Sequence, residues 1–202
     1  MVAFVILLFA EHLSRKKAIN QEVSRKIPHI VGGLAIASWP FFVSMNFIVG
    51  LGLAFLAAST VVRKFNLFAG SRAVDRLSWG ELFFPAGVTL TAALHPSQWI
   101  FAVAILHLGV ADAVAALVGK RLGKHFYKIF GHRKSIEGSI AFAVVSVIIT
   151  FWFVVFAPTG LSISWTVILL LPILSSLTEA IAPWGLDNLF VPVIVVIALS
   201  WL

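Results

Sequence analysis

The chain is 202 residues long, 60% apolar and only 11% charged, with a formal net charge of +7. Soluble domains carry about 25% charged and about 45–50% apolar residues, and a chain this short still needs a polar shell, so an ordinary soluble enzyme is excluded. The lack of cysteine excludes disulfides, thiolate catalysis and Cys-ligated metal centres. One Tyr against 18 Phe and 7 Trp suits lipid contact better than stacking on nucleic-acid bases.

A bilayer core of about 30 Å needs roughly 20 apolar residues as a helix. In chain order, the apolar runs are 2–13, 27–43, 47–62, 82–94, 99–118, 140–157, 163–178 and 189–202. They predict an all-α, polytopic transmembrane bundle of 7–8 spans forming one domain over residues 1–202, the runs 2–13, 82–94 and 189–202 being short for a full crossing. Met1–Leu13 does not read as a cleaved signal peptide, because it lacks a basic start and a small-residue cleavage site.

The charges test this map independently. All 15 Lys and Arg fall in segments 14–26, 63–81 and 119–138, and none in the connections between them. An eight-span topology therefore puts every basic residue on one face, which the positive-inside rule makes cytoplasmic, with both termini on the other side. Most acids share that face; Asp112 lies within the fifth span, nearer its cytoplasmic end.

Three constellations carry the chemistry. Along Gly109–Lys124, helical spacing puts Asp112, Ala116, Gly119 and Gly123 on one face; small residues there admit a close neighbour, and a carboxylate inside a span faces a cavity, a partner or an ion. A structural Asp112 paired with an Arg is the plainer alternative. In His132–Ser139, Ser135 predicts a helix N-cap, and the N–H groups behind it, with Arg133 and Lys134, predict a phosphate site; headgroup anchoring is the alternative. In Glu179–Asn188, Pro183 and Gly185 break the helix, and the Glu, Asp and Asn oxygens suit a hard cation such as Mg²⁺, unless Asp187 only caps the last helix.

Two weaker groups remain. Ser24–His29 puts Arg25 and His29 one turn apart at a span's start, and Gly80–Pro85 places Glu81 alone at another. His95 and His107 read as structural, with no second ligand at metal spacing.

On Ser24–His29, Gly80–Pro85, Ala111–Ala115 with Gly119-Lys120 and Gly123-Lys124, Lys134–Ser139, Glu179 and Gly185–Pro192, the chain resembles the membrane-embedded lipid-alcohol kinases of the dolichol, phytol and CTP-dependent diacylglycerol kinase group. These segments follow the family's order from residue 24 to 192. The central part also resembles phosphatidate cytidylyltransferase, with Ile136 where that enzyme usually has Trp.

The resemblance implies phosphoryl transfer from CTP, or ATP or another nucleoside triphosphate, with Mg²⁺, to the hydroxyl of a membrane lipid alcohol at the cytoplasmic face. It implies nucleotide contacts from Arg25, Lys26, His29, Gly119, Lys120, Gly123, Lys124, Arg133, Lys134, Ser135, Gly138 and Asn188. Metal ligation falls to Asp112, Glu137, Glu179 and Asp187, and catalysis to Asp112, Asp187 and Glu137, with Asp112 the expected base. A cytidylyltransferase-like enzyme and a lipid transporter without chemistry are the rival readings. Nucleic acid is not an expected partner; the lipid bilayer is. The acceptor alcohol and oligomeric state stay open.

Overall fold

The structure, a computed structural model, describes residues 21–65, 79–157 and 165–201. The expected first span, 2–13, lies outside the described residues. The rest is mostly helical: α1 (Gln21–Ser38), α2 (Met45–Lys64), α3 (Gly80–Ala93), α4 (Gln98–Leu106), α5 (Asp112–Leu122), α6 (Ile136–Phe156), α7 (Trp165–Ile181) and α8 (Asp187–Trp201).

Serine caps start three of these helices. Ser44, Ser97 and Ser135 accept hydrogen bonds from the N–H groups of Phe47, Ile100 and Gly138 at 3.3, 3.3 and 3.0 Å, satisfying donors that a helix start leaves open. Pro40 limits α1, which ends at Ser38 in a short 3₁₀ turn, Trp39–Phe41. Among the described residues, three helices are long and apolar enough to cross a membrane: Met45–Lys64, Gln98–Leu122 and Ile136–Phe156. Helices α7 and α8 are apolar but shorter.

The span Gln98–Leu122 is the axis of the molecule and is mostly buried. It comprises α4, a π-helical stretch His107–Ala111 and α5. One core, with Val103, Phe142, Phe153, Leu171 and Val195, joins it to α6, α7 and α8. A second, with Ile48, Val88, Phe101, Ile105 and Leu108, joins it to α2 and α3. Outward faces carry exposed apolar residues such as Ile148, Phe151 and Leu169, as lipid-facing helices should.

The all-α expectation needs one correction. The basic segment between α5 and α6 holds an antiparallel hairpin, β1 (Phe126–Ile129) and β2 (His132–Ser135), paired Phe126 to Ser135 and Ile129 to His132. Its two-residue turn puts Phe130 and Gly131 at φ 48° and 79°, the left-handed geometry that matches strand twist in tight hairpins. Arg133 covers the Phe126 ring, its guanidinium carbon 3.6 Å from the centroid.

Candidate active site

Helix ends and the hairpin bring distant residues together. Asp112 opens α5, Glu179 lies in the last turn of α7, and Asp187 opens α8. Trp184 and Gly185, at φ 54° and 89°, reverse the chain between α7 and α8, so these two acids face one another. Each of the three offers a carboxylate oxygen within 4.8 Å of the others.

Two lysines enter the cluster. Lys26 Nζ, on α1, donates to Asp112 Oδ2 at 2.5 Å, and His29 Nε2, one turn on, lies 3.4 Å from the same oxygen. Among the described residues, Asp112 therefore pairs with a lysine and a histidine. Lys134, on β2, donates to Glu179 Oε1 at 2.6 Å and to the Glu179 carbonyl, with Asp187 Oδ2 at 3.6 Å. Burial pulls the Lys134 pKa down, but the neighbouring Glu179 and Asp187 carboxylates outweigh it and hold the ammonium above its ordinary value.

Among the described residues, three carboxylates against two ammonium groups leave one formal negative charge uncompensated. Two further acceptors are buried with no hydrogen-bond partner among the described residues: Glu179 Oε2 and Asn188 Oδ1. Such groups are costly to bury unsatisfied. An all-oxygen donor set with surplus negative charge and spare buried acceptors fits a hard divalent cation.

Of the four acids expected at a metal, the structure brings three together. The Glu137 carboxylate stands apart, accepting from His125 Nδ1 at 2.8 Å and His125 N at 3.1 Å, which ties the start of α6 to the segment before β1. Its placement follows from the hairpin, which holds His125 beside Glu137.

Of the expected nucleotide residues, Lys26, His29, Lys134 and Asn188 lie at the cluster, and the others described form two groups. Gly119, Gly123 and Gly138 surround Ser135: a Cβ on Gly119 would lie 2.7 Å from Ser135 Oγ, and one on Gly138 would lie 2.9 Å from the Ala115 carbonyl. These glycines let α5 and α6 approach and give the Ser135 cap its space. Lys120, Lys124 and Arg133 are exposed beside the hairpin. The side chain of Arg25 lies outside the described residues. Glu81, the lone acid of Gly80–Pro85, pairs with Arg63 Nη1 at 2.8 Å.

Sequence reasoning missed the contact that sets α1 in place. Gly33 and Gly109 meet backbone to backbone, so that a Cβ on either would lie 2.7 Å from the other's Cα. On α3, a Cβ on Gly87 would collide with the Asn188 carbonyl. Small residues inside apolar helices were the available signal.

Between α6 and α7 runs an open apolar groove of about 290 Å³, with Ser139 and Ala143 on one wall and Ser176 and Ala180 on the other. Ala180 follows Glu179 in the chain, and Ser176 Oγ is buried with no hydrogen-bond partner among the described residues.

Among known proteins, the chain is 33% identical over 198 residues to a phytol kinase of Synechocystis sp., covering 93% of this chain and 82% of that protein. It is 26% identical over 160 residues to a probable phytol kinase 2, chloroplastic, of Oryza sativa subsp. japonica, and 28% over 161 residues to a probable phytol kinase 3, chloroplastic, of Glycine max. Each covers 71% of this chain, which spans about half the length of those plant proteins. No family model and no solved structure matches.

Proposed function

The chain belongs to the phytol kinase family, and from that premise we propose that it phosphorylates an isoprenoid alcohol such as phytol with CTP and Mg²⁺ at the cytoplasmic face of a membrane. The family makes it a lipid-alcohol kinase. The observation that carries the finer reading is the buried cluster of Asp112, Glu179 and Asp187 interleaved with Lys26 and Lys134, the mixture of charges that phosphoryl transfer requires.

Asp112, Glu179 and Asp187, with Asn188, would hold Mg²⁺, which supplies charge neutralisation on the phosphates. Lys26 and Lys134 stand where their ammonium groups can leave a carboxylate for a phosphate oxygen. Exposed Lys120, Lys124 and Arg133 extend this positive surface toward the nucleotide. Placing it in the cytoplasm rests on the one-sided distribution of all 15 Lys and Arg.

The groove between α6 and α7 is where we place the lipid tail, so that the alcohol enters sideways and its hydroxyl reaches the Glu179 end. The hydroxyl oxygen bonds to the γ-phosphorus, the bond from that phosphorus to its bridging oxygen breaks, and CDP leaves. Asp112 takes the hydroxyl proton in this scheme, with His29 Nε2 3.4 Å away to share it.

A product assay tests the reading: purified protein, Mg²⁺, labelled CTP or ATP, and a panel of phytol, polyprenol, farnesol and diacylglycerol. A phosphorylated alcohol with CDP is the expected result. Pyrophosphate release would instead support a cytidylyltransferase, and no turnover with any lipid would overturn the kinase reading.

A further inference from the structure

Five residues before Asp112, the axial helix buries a histidine that the scheme above does not use. His107 is 0% exposed. Its Nδ1 lies 2.9 Å from the Val103 carbonyl, and its Nε2 lies 2.7 Å from Ser146 Oγ on α6. A carbonyl can only accept, so Nδ1 carries the proton, and Nε2 accepts from the Ser146 hydroxyl. Ser146 Oγ is in turn 3.0 Å from Ser175 Oγ on α7. This polar chain links three helices. One carries Asp112, the next follows Lys134 and the Ser135 cap, and the third carries Glu179 one turn beyond Ser175.

His107 also opens the π stretch, and its carbonyl accepts from the Asp112 N–H, five residues on. A π turn of this kind is rare and concentrates at functional sites. Each residue of an α-helix advances about 100°, so the extra residue rotates every later side chain by about that angle. An uninterrupted α-helix would turn Asp112 away from its present partners, Lys26 and His29.

We propose that His107 is a positioning residue for Asp112: its two side-chain hydrogen bonds hold the π turn that aims the carboxylate into the cluster. The residue is sealed from water. Val103 anchors it within its own helix, and Ser146 anchors it to α6, so the turn is fixed against the helix that leads from the hairpin. The activity part of this proposal rests on the kinase reading; the register part does not.

The experiment uses the full chain in lipid nanodiscs and compares wild type with His107→Leu, His107→Asn and Ser146→Ala. If His107 positions the carboxylate, His107→Leu lowers kcat for phytol phosphorylation about 10- to 100-fold, while both KM values stay within about twofold, as for a misplacement of about 1 Å. Hydrogen exchange at the Asp112 amide accelerates while amides in α2 and the hairpin keep their wild-type rates. His107→Asn, which retains a donor for the Val103 carbonyl, recovers part of the lost kcat. Ser146→Ala, which removes one hydroxyl and little volume, gives a smaller loss of the same kind, so the test survives if His107→Leu does not fold. A wild-type kcat in His107→Leu would overturn the proposal, as would a uniform rise in exchange with kcat and KM changing together. If wild type phosphorylates no alcohol, the kinase reading fails, and the exchange comparison alone decides whether His107 fixes the register of Asp112.

Discussion

Gly109→Ala probes the assembly of the site without touching a charged residue. The new Cβ would sit 2.7 Å from Gly33 Cα and 3.2 Å from the His29 carbonyl. Carbon atoms rest at about 3.5–4.0 Å, so α1 has to retreat from the axial helix by about 1 Å. The retreating helix carries Lys26 and His29, now 2.5 and 3.4 Å from Asp112 Oδ2. Overpacking of this kind costs about 1–3 kcal/mol, partly offset by the roughly 0.5–1 kcal/mol that Ala gains over Gly in a helix. A displacement of about 1 Å lowers turnover about 100-fold. Gly32→Ala is the internal control, because its Cβ meets nothing within 4 Å. The assay pairs thermal unfolding in detergent with steady-state phosphorylation of phytol. The expected result is full activity in Gly32→Ala and a large loss of kcat in Gly109→Ala and in Gly33→Ala. Equal activity in Gly109→Ala and Gly32→Ala would refute the argument that the close contact of α1 with the axial helix sets the Asp112 pairing.

Three further outcomes follow from the geometry. Mn²⁺ binding, followed by electron paramagnetic resonance, should weaken at least about tenfold in Asp187→Asn and Glu179→Gln, each of which removes a charged oxygen ligand, and change little in Glu137→Gln, whose carboxylate is engaged by His125. Lys134→Met strands Glu179 and Asp187 beside one another. It should destabilise the fold by about 3–5 kcal/mol, the cost of an uncompensated buried charge, with much of that recovered in Lys134→Met/Glu179→Gln by thermal unfolding. Ala143→Trp fills the groove between α6 and α7; KM for phytol should rise while KM for CTP and turnover of a short soluble alcohol hold, and an unchanged KM for phytol would remove the groove as the tail site.

What could be read from the sequence follows the range of each signal. Apolar runs and serine caps are local, so α2 (Met45–Lys64) and α6 (Ile136–Phe156) match the expected runs 47–62 and 140–157 to within a few residues. The acids at 112, 179 and 187 were also visible, because charge in or beside a span stands out against an apolar background. Their convergence was legible only through the family resemblance, since it depends on Trp184 and Gly185 reversing the chain and on how α7 and α8 then pack. The hairpin escaped for another reason: its turn is Phe130-Gly131, not the Asn-Gly or Asp-Gly pair that advertises such geometry. Once that hairpin forms, it separates two residues that look equivalent in sequence. Lys134 sits on the strand that reaches the acids, whereas Glu137, three residues later, has passed onto α6 and meets His125.

For a related reason, His107 reads as structural in the sequence. A lone histidine in an apolar run has no visible partner, and the residues that give it a role, Val103 and Ser146, are an ordinary valine's backbone and a serine 39 positions away. The π turn leaves no compositional trace either, because it changes angle rather than hydropathy. Gly119 and Gly123, downstream of Asp112, both meet Ser135. Spacing carried backward across residues 107–111 would have been off by one residue. In a helix that must present a single carboxylate to a charged cluster, that one residue decides whether Asp112 is aimed at Lys26 and His29 or rotated about 100° away from them.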